Sequence, residues 1–221
     1  MASVLSPVVE YTSARYNNAA EWVHALGDIP LERIICDPWP GTATEADLLR
    51  LVERDCLCEL IDGTLVAKPM GLMEAIIAAN LIGVLGPFVI DRALGAVSGA
   101  DSTLRMASTG RIRLPDVCFF SLCRLPKTAE AVPTLSPDLA VEVLSAGNTA
   151  SEMERKLREY FASGTQLTWI IDPVSRVVAI YHRPGEPTRV IPFEGHLDGE
   201  TVVPGFTMPV SDLFRNVPAM R

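Results

Sequence analysis

Two carboxylates lie inside runs of apolar residues, Asp116 in LPDVCFF and Glu142 in LAVEVLS. A carboxylate taken out of water without a partner is costly, so each needs a hydrogen-bond donor, a cation or a wet sheet edge. Downstream of Glu142, the amphipathic stretch SEMERKLREYFASG carries Lys156. If the two strands are neighbours, both acids can point at one spot. Hard divalent cations use such oxygen ligands and leave their other positions to water and substrate phosphate. A lysine beside them could orient or deprotonate an attacking water, or neutralise charge building up on a phosphate in the transition state. Each residue also has a plainer reading: Asp116 as a strand-end turn after Pro115, Glu142 at a solvated edge, and Lys156 paired with Glu152 one helical turn earlier. Spacing alone leaves both readings open, because no fixed local motif ties the three residues together.

Positioning them falls to the surrounding elements. DLAVEVLS alternates, with Leu139, Val141 and Val143 on one face and Asp138, Ala140, Glu142 and Leu144 on the other. After the turn AGNT, a helix carries Met153, Leu157 and Tyr160/Phe161 as an apolar stripe and Glu152, Lys156 and Glu159 on the adjoining face, stopped by Gly164. GAVSGADSTLRM and GRIRLPDVCFFS read as two strands, with Pro115 marking an edge or a strand start. CELIDGTLVAKP spells strand, turn, strand over residues 57–68 around Asp62-Gly63. Apolar residues from Met73 to Phe88 recur at helical spacing, predicting one long helix over 72–89. TATEADLLRLVER predicts another, with Thr42 and Glu45 at capping-box spacing. LTWIID and RVVAIYH are strands joined by a turn over Asp172-Pro173-Val174-Ser175, followed by a strand in TRVIPF and a Pro-rich end. The order predicts a mixed α/β (α+β) domain over residues 41–215, built on one central mixed sheet flanked by helices. Residues 1–40 read as an N-terminal extension with one short helix around AAEWVHALGDIP.

The longest uncharged run, AIIAANLIGVLGPFVI, falls short of the ~20 apolar residues of a spanning helix and contains a Gly-Pro pair. It is expected to be a buried helix, with no membrane partner. The N-terminal residues lack the pattern of a signal peptide, so the expected location is cytoplasmic. Five cysteines form no CxxC pair and are expected to be reduced. Cys56 and Cys58 could hold a soft metal, but His24, His182 and His196 are scattered and complete no zinc spacing. A net charge of −8 argues against broad electrostatic attraction to nucleic acid. Basic residues nonetheless gather in two places, Arg105 to Arg113 and Arg155 to Arg158.

The runs ELIDGTLVAKPMG, LPDVCFFS and PDLAVEVLSAGNTASEMERKLREYFASGTQLTWIIDP together resemble the Uma-type family catalogued as restriction endonucleases, formerly a domain of unknown function. The resemblance spans about residues 42 to 183. It implies the PD-(D/E)xK nuclease fold and a Mg²⁺ or Mn²⁺ ion held by Asp116 of PD and Glu142 of EVL, with the Val143 carbonyl as a third ligand. Glu59 of ELIDG matches an additional acidic position expected near the metal. The superfamily lysine two residues after the second acid falls on Leu144 here, which makes Lys156 of the following helix its replacement. Family members often carry a histidine near the start of the long helix; PMGLMEAII has Glu74 as its sole ionisable residue. Tyr160 and Asp172 are expected to be structural, and Ser145 either caps a turn or hydrogen-bonds a ligating carboxylate.

The resulting expectation is a metal-dependent endonuclease hydrolysing DNA phosphodiesters. Asp116, Glu142, Lys156 and Glu59 would be its catalytic residues, and a homodimer would suit cutting both strands. The alternative, from a different class, is a noncatalytic interaction protein that retains the nuclease scaffold.

Overall fold

The computed structural model describes residues 16–69, 71–126 and 128–219. In chain order it runs α1 (Ala19–Leu26), a 3-10 turn (Leu31–Arg33), β1 (Ile34–Ile35), α2 (Glu45–Val52), β2 (Cys58–Ile61), β3 (Thr64–Ala67) and α3 (Leu72–Asp91). Then follow β4 (Gly95–Ser98), β5 (Leu104–Arg105), β6 (Ile112–Arg113), β7 (Val117–Ser121), β8 (Leu139–Val143) and α4 (Ala150–Ala162). The chain finishes with β9 (Leu167–Asp172), β10 (Val177–Tyr181), β11 (Arg189–Ile191), β12 (His196–Asp198), β13 (Thr207–Pro209) and α5 (Val210–Leu213). This is the mixed α+β architecture expected, but the strands divide over more than one sheet.

The larger sheet has the order β11-β10-β9-β8-β7-β4, antiparallel except between β8 and β9. That parallel pair needs a crossover, and α4 supplies it. A second, antiparallel sheet has the order β1-β3-β2-β6-β5. The chain passes from one sheet to the other at Leu114-Pro115-Asp116. Proline has no N–H to give a ladder, so β6 ends there and β7 begins in different company. β12 and β13 form a small hairpin of their own.

Alternation along β8 is as read from sequence. Val141 and Val143 join Trp169, Ile77, Leu81 and Leu85 in the main core under α3, whereas Ala140 packs with Tyr160 and Cys118 under α4. By length and composition α3 would also suit a membrane span; here Ile77, Ala78, Leu81, Leu85 and Val89 are buried, while Leu72 and Ile90 stay exposed. The β2–β3 turn has positive φ at Asp62 (49°) and Gly63 (74°), as a type I′ hairpin requires. α2 starts two residues later than predicted. Its cap is Thr44 with Asp47, whose carboxylate returns to the Thr44 N–H at 2.7 Å, while the Thr42 hydroxyl donates to the Trp39 carbonyl.

The described residues before 41 are fastened to this framework. Ile34 and Ile35 pair with β3. Arg33 donates to both Glu152 carboxylate oxygens at 2.8 Å and to the Gly147 carbonyl at 2.8 Å, joining the N-terminal stretch to the start of α4.

Candidate active site

The β7–β8 register sets Val117 opposite Val141 and Cys118 opposite Ala140. Asp116 precedes that pairing by one residue, and its carboxylate is close enough to Glu142 for the two negative charges to act on each other. Like charges brought close in the interior repel, so this position needs cations. Asp116 has one in Lys68, whose ammonium lies 2.8 Å from Oδ1 and also donates to the Leu114 carbonyl. The other oxygen, Oδ2, accepts the Val143 N–H at 2.7 Å, and the Asp116 N–H donates to the Val141 carbonyl.

Glu142 has its cation in Lys156. Helical spacing aligns Glu152, Lys156, Glu159 and Tyr160 on the buried side of α4. The Lys156 ammonium stands 3.1 Å from both Glu142 oxygens and 3.1 Å from Glu59 Oε1. The Tyr160 hydroxyl donates to Glu142 Oε1. Asp116, Glu142, Lys156 and Glu59 are each no more than 5% exposed. Glu142 is therefore not at a solvated edge, and Lys156 is not the partner of Glu152, which Arg33 takes instead.

Electrostatics assign the protons. Burial pushes the Glu142 carboxyl up; Lys156 opposes the shift, Asp116 adds to it, and the group ends above its ordinary range. Burial would lower Lys156, but Glu142, Glu59 and Glu152 outweigh it and hold the ammonium above the usual lysine range. A lysine held this way is a fixed positive charge, which disfavours the option of taking a proton from water. Burial, Glu142 and Glu59 raise Tyr160 well above its ordinary value, so its hydroxyl remains a donor.

Glu59 sits on the far side of Lys156 from Glu142. Its Oε1 also accepts the Leu114 N–H at 3.2 Å, and its Oε2 accepts from Arg113 at 2.7 Å. Burial works against ionisation of Glu59, but Lys156, Arg113 and Lys68 more than compensate and depress its pKa far below the carboxylate range. Arg113, fully buried, continues to Glu159 at 2.7 and 2.9 Å, and Arg111 joins Glu159 to Asp62. The acids and cations alternate from Asp62 to Glu142.

Asp116 and Glu142 thus come together as a pair, with Glu59 held apart by a lysine. Among the described residues no three His, Cys, Asp or Glu side chains form a metal cluster. Two interacting carboxylates, one pushed toward its protonated form, are still a donor set that a hard cation suits, since such ions take one or two carboxylates and fill the rest with water and phosphate. Val143 meets Asp116 through its N–H, on the strand whose carbonyl was expected to ligate. Glu74 is buried in the first turn of α3 with its carboxylate against Gly71. Ser145 bonds Asn148 in the β8–α4 turn, and Asp172 accepts the Val174 N–H in the β9–β10 turn. Cys58 is buried, and its thiol is pushed up to about 12 by burial, Cys56 and Glu59.

Sequence reasoning missed Lys68, Arg113 and Arg33. Lys68 closes the apolar run TLVAK and Arg113 stands between Ile112 and Leu114. A lone cation in an apolar strand carries the same signal as a lone acid.

A family model described as "Uma2: Putative restriction endonuclease" matches residues 45–211. The chain belongs to the Uma2 family. The match takes in every member of the Asp116–Glu142–Lys156 cluster together with Glu59, Lys68 and Arg113. Among solved structures, the Uma2 chain is similar to one described as a putative nuclease belonging to DUF820 from Anabaena variabilis ATCC 29413. That likeness has 22% identity and a TM-score of 0.67, and covers 77% of this chain and 96% of that one. It shows a shared fold. No curated protein matches this Uma2 chain.

Proposed function

We propose that this Uma2 protein is a Mg²⁺- or Mn²⁺-dependent endonuclease that hydrolyses DNA phosphodiester bonds. The observation that carries the reading is the pair of buried, interacting carboxylates Asp116 and Glu142, with the Lys68 ammonium on Asp116 and the Lys156 ammonium on Glu142. Asp116, Glu142 and the Val143 carbonyl would hold the cation, which supplies Lewis-acid activation of the phosphodiester and of the attacking water. Lys156 contributes permanent positive charge where negative charge builds on the phosphoryl oxygens. Tyr160 orients Glu142, and Lys68 orients Asp116. Glu59 acts through Lys156, fixing the ammonium between two carboxylates. Membership of a family described as "Putative restriction endonuclease" supports this reading, as does the shared fold with a structure described as a putative nuclease.

Its test is nicking of plasmid DNA by the purified protein with Mn²⁺ or Mg²⁺. Activity should disappear in EDTA and in Glu142→Ala; cleavage that survives in that variant would contradict the assignment. A second reading is favoured by one observation, the complete mutual pairing of Glu59, Lys156 and Glu142 in a buried cluster. That arrangement would also serve a noncatalytic scaffold, which would bind no divalent cation at millimolar concentration.

A further inference from the structure

The two basic stretches noted in the sequence meet in space. Arg111 lines a groove of about 510 Å³ together with Arg155 and Arg158 from the outer side of α4. Arg158 pairs with Glu154 in an exposed i,i+4 contact, which holds it weakly. Arg155 donates to the His24 carbonyl at 3.0 Å and forms no ion pair among the described residues; its Nε has no hydrogen-bond partner. Glu159, the buried acid of the groove, is already shared by Arg111 and Arg113. The groove therefore has positive charge to spare.

Directly beside it is a second cavity, of about 400 Å³, lined by Tyr16, Trp22 and Trp39. Trp22 is anchored through its indole N–H to Thr64, while Trp39 is 72% exposed. The loop bearing Trp39 is tied to the hairpin turn by Gly41 N–H to Gly63 carbonyl at 2.8 Å. The two cavities meet at Arg111 and Asp62, whose side chains form a two-point pair. That pair also decides the ligand. An aromatic cage with a free carboxylate would suit a cation, but here Asp62 is neutralised by Arg111 and the excess charge next door is positive. Aromatic faces beside guanidinium groups suit a stacked base with its phosphate.

We propose that Tyr16, Trp22 and Trp39 form a stacking site for an unpaired nucleobase, and that Arg155 and Arg158 hold the adjoining backbone phosphate. The ligand is a single-stranded or locally opened stretch of nucleic acid. This deepens the nuclease reading and rests on it. The site lies at the turn of the hairpin whose β2 strand carries Glu59, three residues or roughly 10 Å along the strand from that side chain. It also assigns work to residues 16–41, which sequence motifs left unexplained.

The test is fluorescence anisotropy of labelled single-stranded DNA titrated with the full-length protein in EDTA, with duplex of equal length, a free mononucleotide and tetramethylammonium as competitors. Single strands should bind more tightly than duplex or mononucleotide. Trp39→Ala should weaken them by roughly tenfold, Trp39→Phe should retain most of the affinity, and Arg155→Ala should reduce the salt dependence by about one ion. Trp39 is exposed, so its replacement leaves the core untouched. Unchanged affinity in Trp39→Ala and Arg155→Ala, equal binding of duplex or mononucleotide, or displacement by tetramethylammonium would overturn the proposal. Because no divalent cation is present, this titration reads the stacking site alone; nicking with Mn²⁺ reads the nuclease assignment separately.

Discussion

Lys156 holds Glu142 and Glu59 at the same distance, 3.1 Å, and so joins a carboxylate of the larger sheet to one of the smaller. Replacing the lysine leaves both acids buried without their common cation. Removing one partner of a buried ion pair typically costs about 3–5 kcal/mol. Lys156→Met should lower the urea-unfolding free energy by that order, and the double variant with Glu142→Gln should recover part of it. A loss below about 1 kcal/mol, the range of a surface pair, would contradict the geometry.

Tyr160 touches the same carboxylate through its hydroxyl. Tyr160→Phe removes a donor to a buried charged group, which costs roughly 1.5–3 kcal/mol. Urea denaturation measures the cost, and DNA nicking should fall with it because Glu142 loses one of its two orienting contacts. Full stability and full activity together would show that this hydrogen bond does nothing.

Glu59 and Glu159 predict the acid limb of stability. Burial works against ionisation in both, yet Lys156, Arg113 and Arg111 hold their pKa values below the ordinary 4.5. An acid whose pKa is depressed on folding contributes stability above its unfolded value and loses it as pH falls through the folded one. The unfolding free energy should therefore drop as pH is lowered below about 4.5, and Glu159→Gln should flatten that slope. An equally steep slope in the variant would contradict the pairing of Glu159.

The hairpin beneath Glu59 makes a prediction of its own. Gly63 has φ +74°, and a Cβ there would meet the Gly41 carbonyl carbon and oxygen at 2.7 Å. Neither atom is on a flexible side chain. Gly63→Ala should cost more than about 1 kcal/mol, read by thermal or urea unfolding; a neutral result would contradict the packing of the Trp39 loop on the turn.

Much of this was legible because it is local. The alternation in DLAVEVLS placed Glu142 opposite the core, the Asp62-Gly63 pair marked the hairpin, and the period of SEMERKLREYF put Lys156 next to the apolar stripe. Long-range pairing was not legible. Lys68 reaches Asp116 and Arg33 reaches Glu152 through side chains whose sequence neighbours say nothing about the partner. The split into two sheets at Pro115 depends on which strands compete for the chain after it, and β12 and β13 are three residues each, too short to show a period. Thr44 displaced Thr42 as the helix cap because Asp47, not Glu45, closes the box.

The proposed nuclease depends on Asp116 and Glu142 sharing a divalent cation. Isothermal calorimetry with Mn²⁺ tests it directly, comparing the unaltered protein with Asp116→Ala. The unaltered protein should give a saturable heat at millimolar Mn²⁺ or below, and that heat should disappear in the variant. Equal heats from the two proteins, or none from either, would contradict it.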